Sequence, residues 1–437
     1  MAEAESRWDE LIRSILSRSF SNEVVVDILS KLPVKSLICF KSVCKPWRAM
    51  FGDPKFIEMH LSNGISNKRE SYLLRILPFN DEDGSSLSTD SDDGSDFGML
   101  PLPDQTSVNT SPGYDFDFNE DEVEEIYSLR DKKSFDEIGK LEVPIQSKSL
   151  YYLMVESMNG VVCLIETDDD EGWYPTVNMF LWNPATREFK TLPKPYINRF
   201  TGPVRVAAVG FAFHPKINDY KVVTIVHSVE INSLKVEVFS LKEDCWRNVG
   251  AEIMQVGAPR MTLSFQDYLS SAFVNGALHW TMCKKDGYFF SENYILSFDV
   301  CTDKFNKMKL PFPYVGYELL VYQAPKTFEG PLALIAYNSI ENCDIWLMKE
   351  YGVVESWVRQ YSIRGWVWSV MPFGFFDDGN LIIELSIDRH LFSYDLDVEC
   401  MRYLEVFGHI RIVKYIESLV PLKSDSRLNW YPSINPL

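Results

Sequence analysis

From residue 151 onward one unit recurs about every fifty residues: a strand carrying an aromatic, a polar turn, and a second strand with an aromatic or large apolar residue. Its five copies are FLWNPATREFKTLP (180–193), VEVFSLKEDCWRNV (236–249), ILSFDVCTDKFNKMKLP (295–311), IWLMKEYGVVESWVRQY (345–361) and LFSYDLDVECMRYLEV (391–406). With Asn183, Ser240, Asp299, Lys349 and Asp395 as equivalent turn positions, the offsets are 57, 59, 50 and 46 residues. The first half of each unit has its own turn signal. Asn159-Gly160 precedes VVCLI, Asp219 precedes YKVVTIV, Asn275-Gly276 precedes ALHW, and Asp378-Gly379 precedes NLIIEL. Asn-Gly and Asp-Gly suit a two-residue hairpin whose central residues both need positive φ. Each unit thus holds about four strands, which bury their faces only by stacking on neighbouring units.

Such a period is that of kelch-like β-propeller blades. The region from Tyr72 to Ile145 is expected to supply a sixth blade, with its strand at 72–77 paired to the last strand of the chain. That pairing closes the ring and removes two unpaired edges. The expected fold is mainly β, a propeller of about six blades behind a small α-helical N-terminal module. A β-sandwich-like C-terminal domain is the alternative, although sandwiches show turns every 8–12 residues without a larger period.

The helical module is FSNEVVVDILSKLPVKSLICFKSVCKPWRAM, residues 20–50. Val24, Val25, Ile28, Leu29 and Leu32 recur at helical spacing, Pro33 forbids continuation, and Leu37, Phe40, Val43, Cys44 and Trp47 resume the spacing. Two or three short helices follow. Their apolar positions exceed what one mini-core needs, so the excess should face a partner. Asp53-Pro54 starts a further helix through Leu61, since Asp caps and Pro suits the first helical turn. Ahead of the module, Trp8, Leu11, Ile12, Ile15 and Leu16 mark a lead-in helix within 1–19.

Residues 20–62 resemble the F-box of plant proteins, in the group that includes the CPR and S-locus F-box proteins. Ile28-Leu29, Leu32-Pro33-Val34-Lys35-Ser36-Leu37, Val43-Cys44-Lys45, Trp47-Arg48, Asp53-Pro54-Lys55-Phe56 and His60-Leu61 carry the resemblance. Phe20-Ser21 stands where members usually have Leu-Pro; Phe20 supplies an apolar contact and Ser21 a helix cap. Residues from about 150 to 422 resemble the F-box-associated domain through Leu181-Trp182-Asn183-Pro184-Ala185-Thr186-Arg187, Val274-Asn275-Gly276-Ala277-Leu278-His279-Trp280, Ile345-Trp346-Leu347-Met348-Lys349-Glu350-Tyr351-Gly352 and Tyr415-Ile416-Glu417-Ser418-Leu419. The whole associated domain is expected to span 70–422, ahead of a tail at 423–437. The resemblance implies a non-catalytic substrate receptor of a Skp-cullin-F-box ubiquitin ligase; the alternatives are an F-box scaffold acting outside a ligase and a propeller enzyme. The receptor would dock on a Skp-family adaptor, reach the cullin through that adaptor, and hold an unidentified protein target on the C-terminal domain. The residues it implies at the adaptor interface are Phe20, Val24, Ile28, Leu29, Leu32, Pro33, Leu37, Val43, Cys44 and Trp47.

Charge and composition agree with those partners. The formal charge is −19, but residues 80–125 hold fifteen Asp and Glu and no Lys or Arg, leaving 47 acids against 43 bases elsewhere. That segment has no apolar period and reads as a disordered acidic insert, and the nearly neutral remainder gives nucleic acid no electrostatic footprint. No run is long and apolar enough for a membrane span, and no secretory signal is visible. Eight scattered cysteines without a C-x-x-C pair suit a reducing compartment, cytoplasm or nucleus.

Motifs for covalent chemistry are missing: there is no phosphate-binding glycine loop, nucleophile elbow or His-Glu-x-x-His. His279 and Cys283 would share a strand face, but two ligands do not make a metal site, so neither metal nor cofactor is expected. Trp182, Trp246, Trp280, Trp346 and Trp357, recurring in the repeats, are expected between blades rather than on a stacking surface.

Overall fold

The computed structural model describes residues 22–67, 69–77, 126–144, 152–168, 176–195, 204–228, 233–249, 271–286, 289–312, 318–323, 330–337, 342–364, 370–385 and 389–422. The lead-in helix, Phe20, the acidic insert and the tail lie outside the described residues.

Four helices come first: α1 (Asn22–Ser30), α2 (Val34–Phe40), α3 (Lys45–Met50) and α4 (Pro54–Ser66). Three strands follow, β1 (Ser71–Leu77), β2 (Ile126–Arg130) and β3 (Glu137–Leu141). Five four-stranded antiparallel sheets come next. The first is β4 (Leu153–Met158), β5 (Val161–Asp168), β6 (Thr176–Asn183) and β7 (Glu188–Thr191), and the second is β8 (Val204–His214), β9 (Asp219–Ser228), β10 (Ser233–Ser240) and β11 (Cys245–Asn248). The third is β12 (Ala272–Val274), β13 (Ala277–Asp286), β14 (Phe289–Asp299) and β15 (Lys304–Lys309). The fourth is β16 (Glu318–Gln323), β17 (Leu332–Tyr337), β18 (Asn342–Met348) and β19 (Trp357–Arg364), and the fifth is β20 (Val370–Phe375), β21 (Leu381–Leu385), β22 (His390–Asp395) and β23 (Cys400–Phe407). The sixth sheet takes β24 (His409–Tyr415) from the end of the described chain and pairs it with β1, β2 and β3. Ser71 lies opposite Tyr415 and Leu77 opposite His409. The result is a six-bladed propeller closed by the pairing expected from the sequence, and the sandwich alternative falls.

The period of the repeat is a period of turns. Asn183, Asp299 and Asp395 each accept, through one side-chain oxygen, hydrogen bonds from the backbone N–H groups two and three residues on. Four residues after four of the five turn positions the backbone is left-handed, at Arg187, Asp244, Asp303 and Glu399, with φ between 55° and 59°, whereas after Lys349 the left-handed residue is Gly352 (φ 85°), three residues on. Asp131 and Phe135 (φ 67°) repeat this geometry in the sixth blade. The inner hairpins with Asn159-Gly160 and Asn275-Gly276 have positive φ at both residues, as Asn-Gly demands. Asp378-Gly379 differs: only Gly379 is left-handed, and Gly379 N–H donates to Phe376 O while Phe376 N–H donates to Asn380 O. That is a longer loop in which glycine takes the last turn position.

Each blade is linked to the next by at least one polar contact. Trp246 Nε1 donates to Pro193 O (2.5 Å), Trp280 Nε1 to Val209 O (3.2 Å), Thr281 to Leu319 O (2.7 Å) and Tyr361 to Asp397 (3.1 Å). Lys414 pairs with Asp377 at 2.6 Å, and Arg411 returns to the first blade through Met154 O at 3.1 Å. The repeat tryptophans are therefore packing residues, as their spacing implied; Trp182 stacks edge-on to Tyr127 of the closing blade at 5.5 Å.

The second and third blades also approach closely at Gly210, where an added Cβ would lie 2.7 Å from Trp280 Cζ2 and 2.8 Å from Leu278 Cδ1. Gly210→Ala is expected to cost about 2 kcal/mol, because neither buried side chain has room to retreat. A denaturant melt measures it; a change below about 0.5 kcal/mol would show that the blades slide apart freely.

Candidate protein-docking surface

Pro33 separates α1 from α2 by removing an N–H and fixing φ, and Asp53 opens α4 by accepting Lys55 N–H at 2.8 Å. α4 continues past the expected end at Leu61, to Ser66. Gly64 lets Ile416 pack closely on this last part of the helix, because a Cβ there would stand 2.8 Å from Ile416 Cδ1. The helices close around Leu29, Val34, Leu37, Phe51, Phe56 and Ile57, all buried. Phe40, Trp47, Phe51 and Phe56 form an aromatic ladder with successive centroids 5.5, 6.2 and 5.3 Å apart. Asn63 donates to Ser30 Oγ at 2.7 Å, tying α4 back to α1.

Against this core the sequence-derived interface set divides. Leu29 and Leu37 are interior, at 4% and 0% exposure, which corrects their assignment to the surface: they face the centre of the helical cluster. Leu32 and Trp47 are half-buried against that cluster and Cys44 is half-buried. Pro33 is exposed, and Val24 (42%), Ile28 (49%) and Val43 (45%) present large apolar side chains to solvent. Val24 and Ile28 are one helical turn apart and share a face. Ile65 is exposed as well; its place at the helical period of α4 gave no sign of which side it takes. Lys31, Lys35, Lys45 and Arg48 are exposed on the same module.

The apolar excess of the module does not all face outward. Leu32, Phe40, Trp47 and Met50 belong to one continuous cluster with Leu153, Val209, Phe239 and Trp246 of the first two blades and with Leu419, Val420 and Leu422. The segment after β24, residues 416–422, runs between module and propeller as a strap. Asn183, fully buried, donates through Nδ2 to Ser418 O (3.2 Å) and Val420 O (2.8 Å). Leu422 N–H donates to Glu188 at 2.5 Å and Val34 N–H to Glu417 at 3.3 Å. Burial raises the Glu188 pKa above the usual carboxylate value, partly offset by the Leu422 N–H and by Lys41 of the helical module. The helical module and propeller are thus packed as one body.

The other candidates have structural roles. His279 is fully buried with Nδ1 3.1 Å from Ala272 O and Nε2 2.8 Å from the Tyr351 hydroxyl. A carbonyl only accepts, so Nδ1 holds the proton and Nε2 accepts from Tyr351, linking the third blade to the fourth. The side chain of Cys283 lies outside the described residues. Among the described residues no group of three or more His, Cys, Asp and Glu is placed to hold a metal, and no helix is long and apolar enough to cross a membrane. Burial lowers the His279 pKa to about 4 against backbone contacts that raise it. The unfolded chain therefore takes up this proton first as pH falls, so the stability held above pH 6.5 is expected to decline by about 3 kcal/mol between about pH 6.5 and 4. Urea melts across that range check it; His279→Gln should flatten the slope, and an unchanged slope would exclude His279 as its source.

The propeller exposes Val358 on β19, Val398 in the turn after β22, and Tyr403 and Phe407 on β23, all on the outer side of the fourth and fifth blades. These positions were not legible in the repeat, which defines inward-facing residues.

The family model for the F-box associated beta propeller domain matches residues 116–412, and that for the F-box domain matches residues 18–59. An F-box/kelch-repeat protein of Arabidopsis thaliana is 24% identical over 88% of this chain and 91% of its own length. F-box protein CPR1 of the same plant is 24% identical over 88% of this chain and 84% of its own. Among solved structures, the Dos1 propeller aligns with 65% of this chain and 66% of its own at 9% identity and a TM-score of 0.35. A putative 6-phosphogluconolactonase from Bacteroides uniformis aligns with 78% of this chain and 99% of its own at 9% identity and a TM-score of 0.37.

Proposed function

Since this chain belongs to the F-box proteins with an associated β-propeller domain, we propose that it is the substrate-recognition subunit of a Skp-cullin-F-box ubiquitin ligase. The helical module docks on a Skp-family adaptor, the adaptor joins it to the cullin, and the propeller holds a target protein for ubiquitination. The chain performs no covalent step. It acts by tethering, which raises the effective concentration of target lysines near the loaded conjugating enzyme.

The observation that carries this proposal is the exposure of Val24, Ile28 and Val43 on a module whose other large apolar residues are mostly covered by its own core and the propeller. Solvent-facing apolar residues grouped on one small module favour a protein partner. The packed strap adds a reason for the arrangement: a target bound to the propeller keeps a fixed distance from the docked adaptor. The working compartment is the cytoplasm or nucleus, where the adaptor and cullin operate.

Gel filtration of the full chain with purified Skp-family adaptor and cullin tests the assembly. Co-elution of all three in one peak is expected. Elution of the chain apart from the adaptor would overturn the proposal, and a peak with adaptor but without cullin would confine the chain to a role outside the ligase.

A further inference from the structure

The exposed apolar residues of the fourth and fifth blades line one groove between them. In the fourth blade, Val358 lies opposite Leu347 and Tyr361 opposite Ile345. Leu347 and Ile345 pack with Leu381, Ile383 and Tyr394 of the fifth blade, so Val358 and Tyr361 share the wall turned toward that blade. In the fifth blade, Met401 lies opposite Tyr394 and Tyr403 opposite Phe392, which puts both on the facing wall. The Tyr361 hydroxyl donates to Asp397 at 3.1 Å and so brings β19 to the turn that holds Val398. The second wall continues through His390, whose ring centroid is 5.1 Å from that of Tyr403 and 5.8 Å from that of Phe407. Val358, Val398, Tyr403 and Phe407 stay between 42% and 63% exposed, an apolar surface that the shared core of the two blades does not cover.

The same groove is acidic. Asp397 and Glu399 flank Val398, Glu405 stands between Tyr403 and Phe407, and all three are exposed. Burial raises the pKa values of the Tyr361 and Tyr394 hydroxyls, and carboxylates raise them further: Asp397 and Asp395 beside Tyr361, Glu399 beside Tyr394. The arginines of the two outer strands alternate to the opposite faces. Arg359 lies over the Trp346 ring at 5.8 Å, on the side of the third blade, and Arg402 pairs with Ser393. Both strand edges are interrupted as well. The pairing skips Gln360 in β19, and Glu405 in β23 is left-handed (φ 53°), so neither edge offers an unbroken ladder to an added strand. Recognition in the groove therefore falls to side chains.

We propose that this groove docks the target protein through a short segment that carries two or more large aliphatic side chains and at least one Lys or Arg. The aliphatic groups lie against Val358, Tyr403 and Phe407, and the cation sets its charge against Asp397 and Glu399. This rests on the propeller's role as the target-holding part, proposed above, and gives that role a place and a chemistry. The exposed apolar face of the helical module suits such a segment poorly, because Lys31, Lys35, Lys45 and Arg48 are exposed on the same module.

Selection of a random peptide library on the full chain, without adaptor, tests it. The enriched peptides should combine aliphatic side chains with Lys or Arg and, made synthetically, should bind the full chain less tightly as salt is raised, as read by fluorescence anisotropy. The double variant Tyr403→Ser, Phe407→Ser should weaken them about tenfold or more, and Asp397→Asn with Glu399→Gln about threefold or more. All four side chains are exposed, so thermal melts of both variants should match that of the parent chain. Val24→Asp with Ile28→Asp should leave peptide binding unchanged. No enrichment, enrichment of acidic peptides, or undiminished binding by either groove variant would overturn the proposal. Loss of binding by the Val24, Ile28 variant would place the peptides on the helical module and overturn it as well. Since no adaptor is present, such failures leave the co-elution test of the ligase role untouched.

Discussion

The double substitution Val24→Asp and Ile28→Asp is expected to weaken adaptor binding by about a hundredfold or more while leaving the melting temperature within about 2 °C. Both side chains are nearly half exposed, so the free protein loses little packing when they are replaced. At an interface they would be desolvated, and two carboxylates would be buried there without partners. Leu29→Asp should behave differently: its side chain is interior, and the module itself should unfold. Titration calorimetry with the purified adaptor, paired with a thermal melt of each variant, separates the two outcomes. Undiminished binding by the double variant would remove α1 from the interface and leave Val43 and Pro33 as the surface to test.

Asn183→Asp is expected to be the most damaging near-isosteric change in the propeller, at about 3–5 kcal/mol. Three equivalent turn positions, Asp131, Asp299 and Asp395, carry aspartate and need only an acceptor for the turn N–H groups. Asn183 has a second task. Its Oδ1 accepts from Ala185 and Thr186, and its Nδ2 donates to the strap carbonyls of Ser418 and Val420. Aspartate keeps the first function and turns a buried negative oxygen toward two carbonyls. The reciprocal change, Asp299→Asn, should cost less than about 1 kcal/mol, since the hydrogen bonds that carboxylate accepts come from Cys301 and Thr302 of its own turn. Chemical denaturation of both variants checks the contrast; equal costs would mean that the strap contributes nothing through Asn183.

The contrast also explains what could be read from the chain alone. A turn demands particular chemistry at particular spacings, so five of the six blades were legible from Asn183, Ser240, Asp299, Lys349 and Asp395. The sixth turn, at Asp131, obeys the same rule but stands at the far side of the acidic insert, with Phe135 in the left-handed position that bulky residues rarely take. Ring closure was legible because an open ring leaves edges. What covers an apolar residue was not: helical spacing marks Leu29 and Ile28 alike, although one is interior and the other faces solvent. The strap was equally hidden, since Ser418, Leu419 and Val420 acquire their meaning only from Asn183, more than two hundred residues earlier.

The sixth blade joins three strands from early in the chain to one from its far end. During synthesis the helical module leaves the ribosome before any blade, and β24 follows all the other strands. Until residues 409–415 emerge, β1 keeps a bare edge and the sixth sheet is missing its first strand. A message read only as far as the fifth blade would yield a chain with its helical module made and its ring unsealed, marked by that bare edge for chaperones and proteases. The order of translation thus makes the last strand a check on the product: the ring seals only in chains that have been made through residue 415.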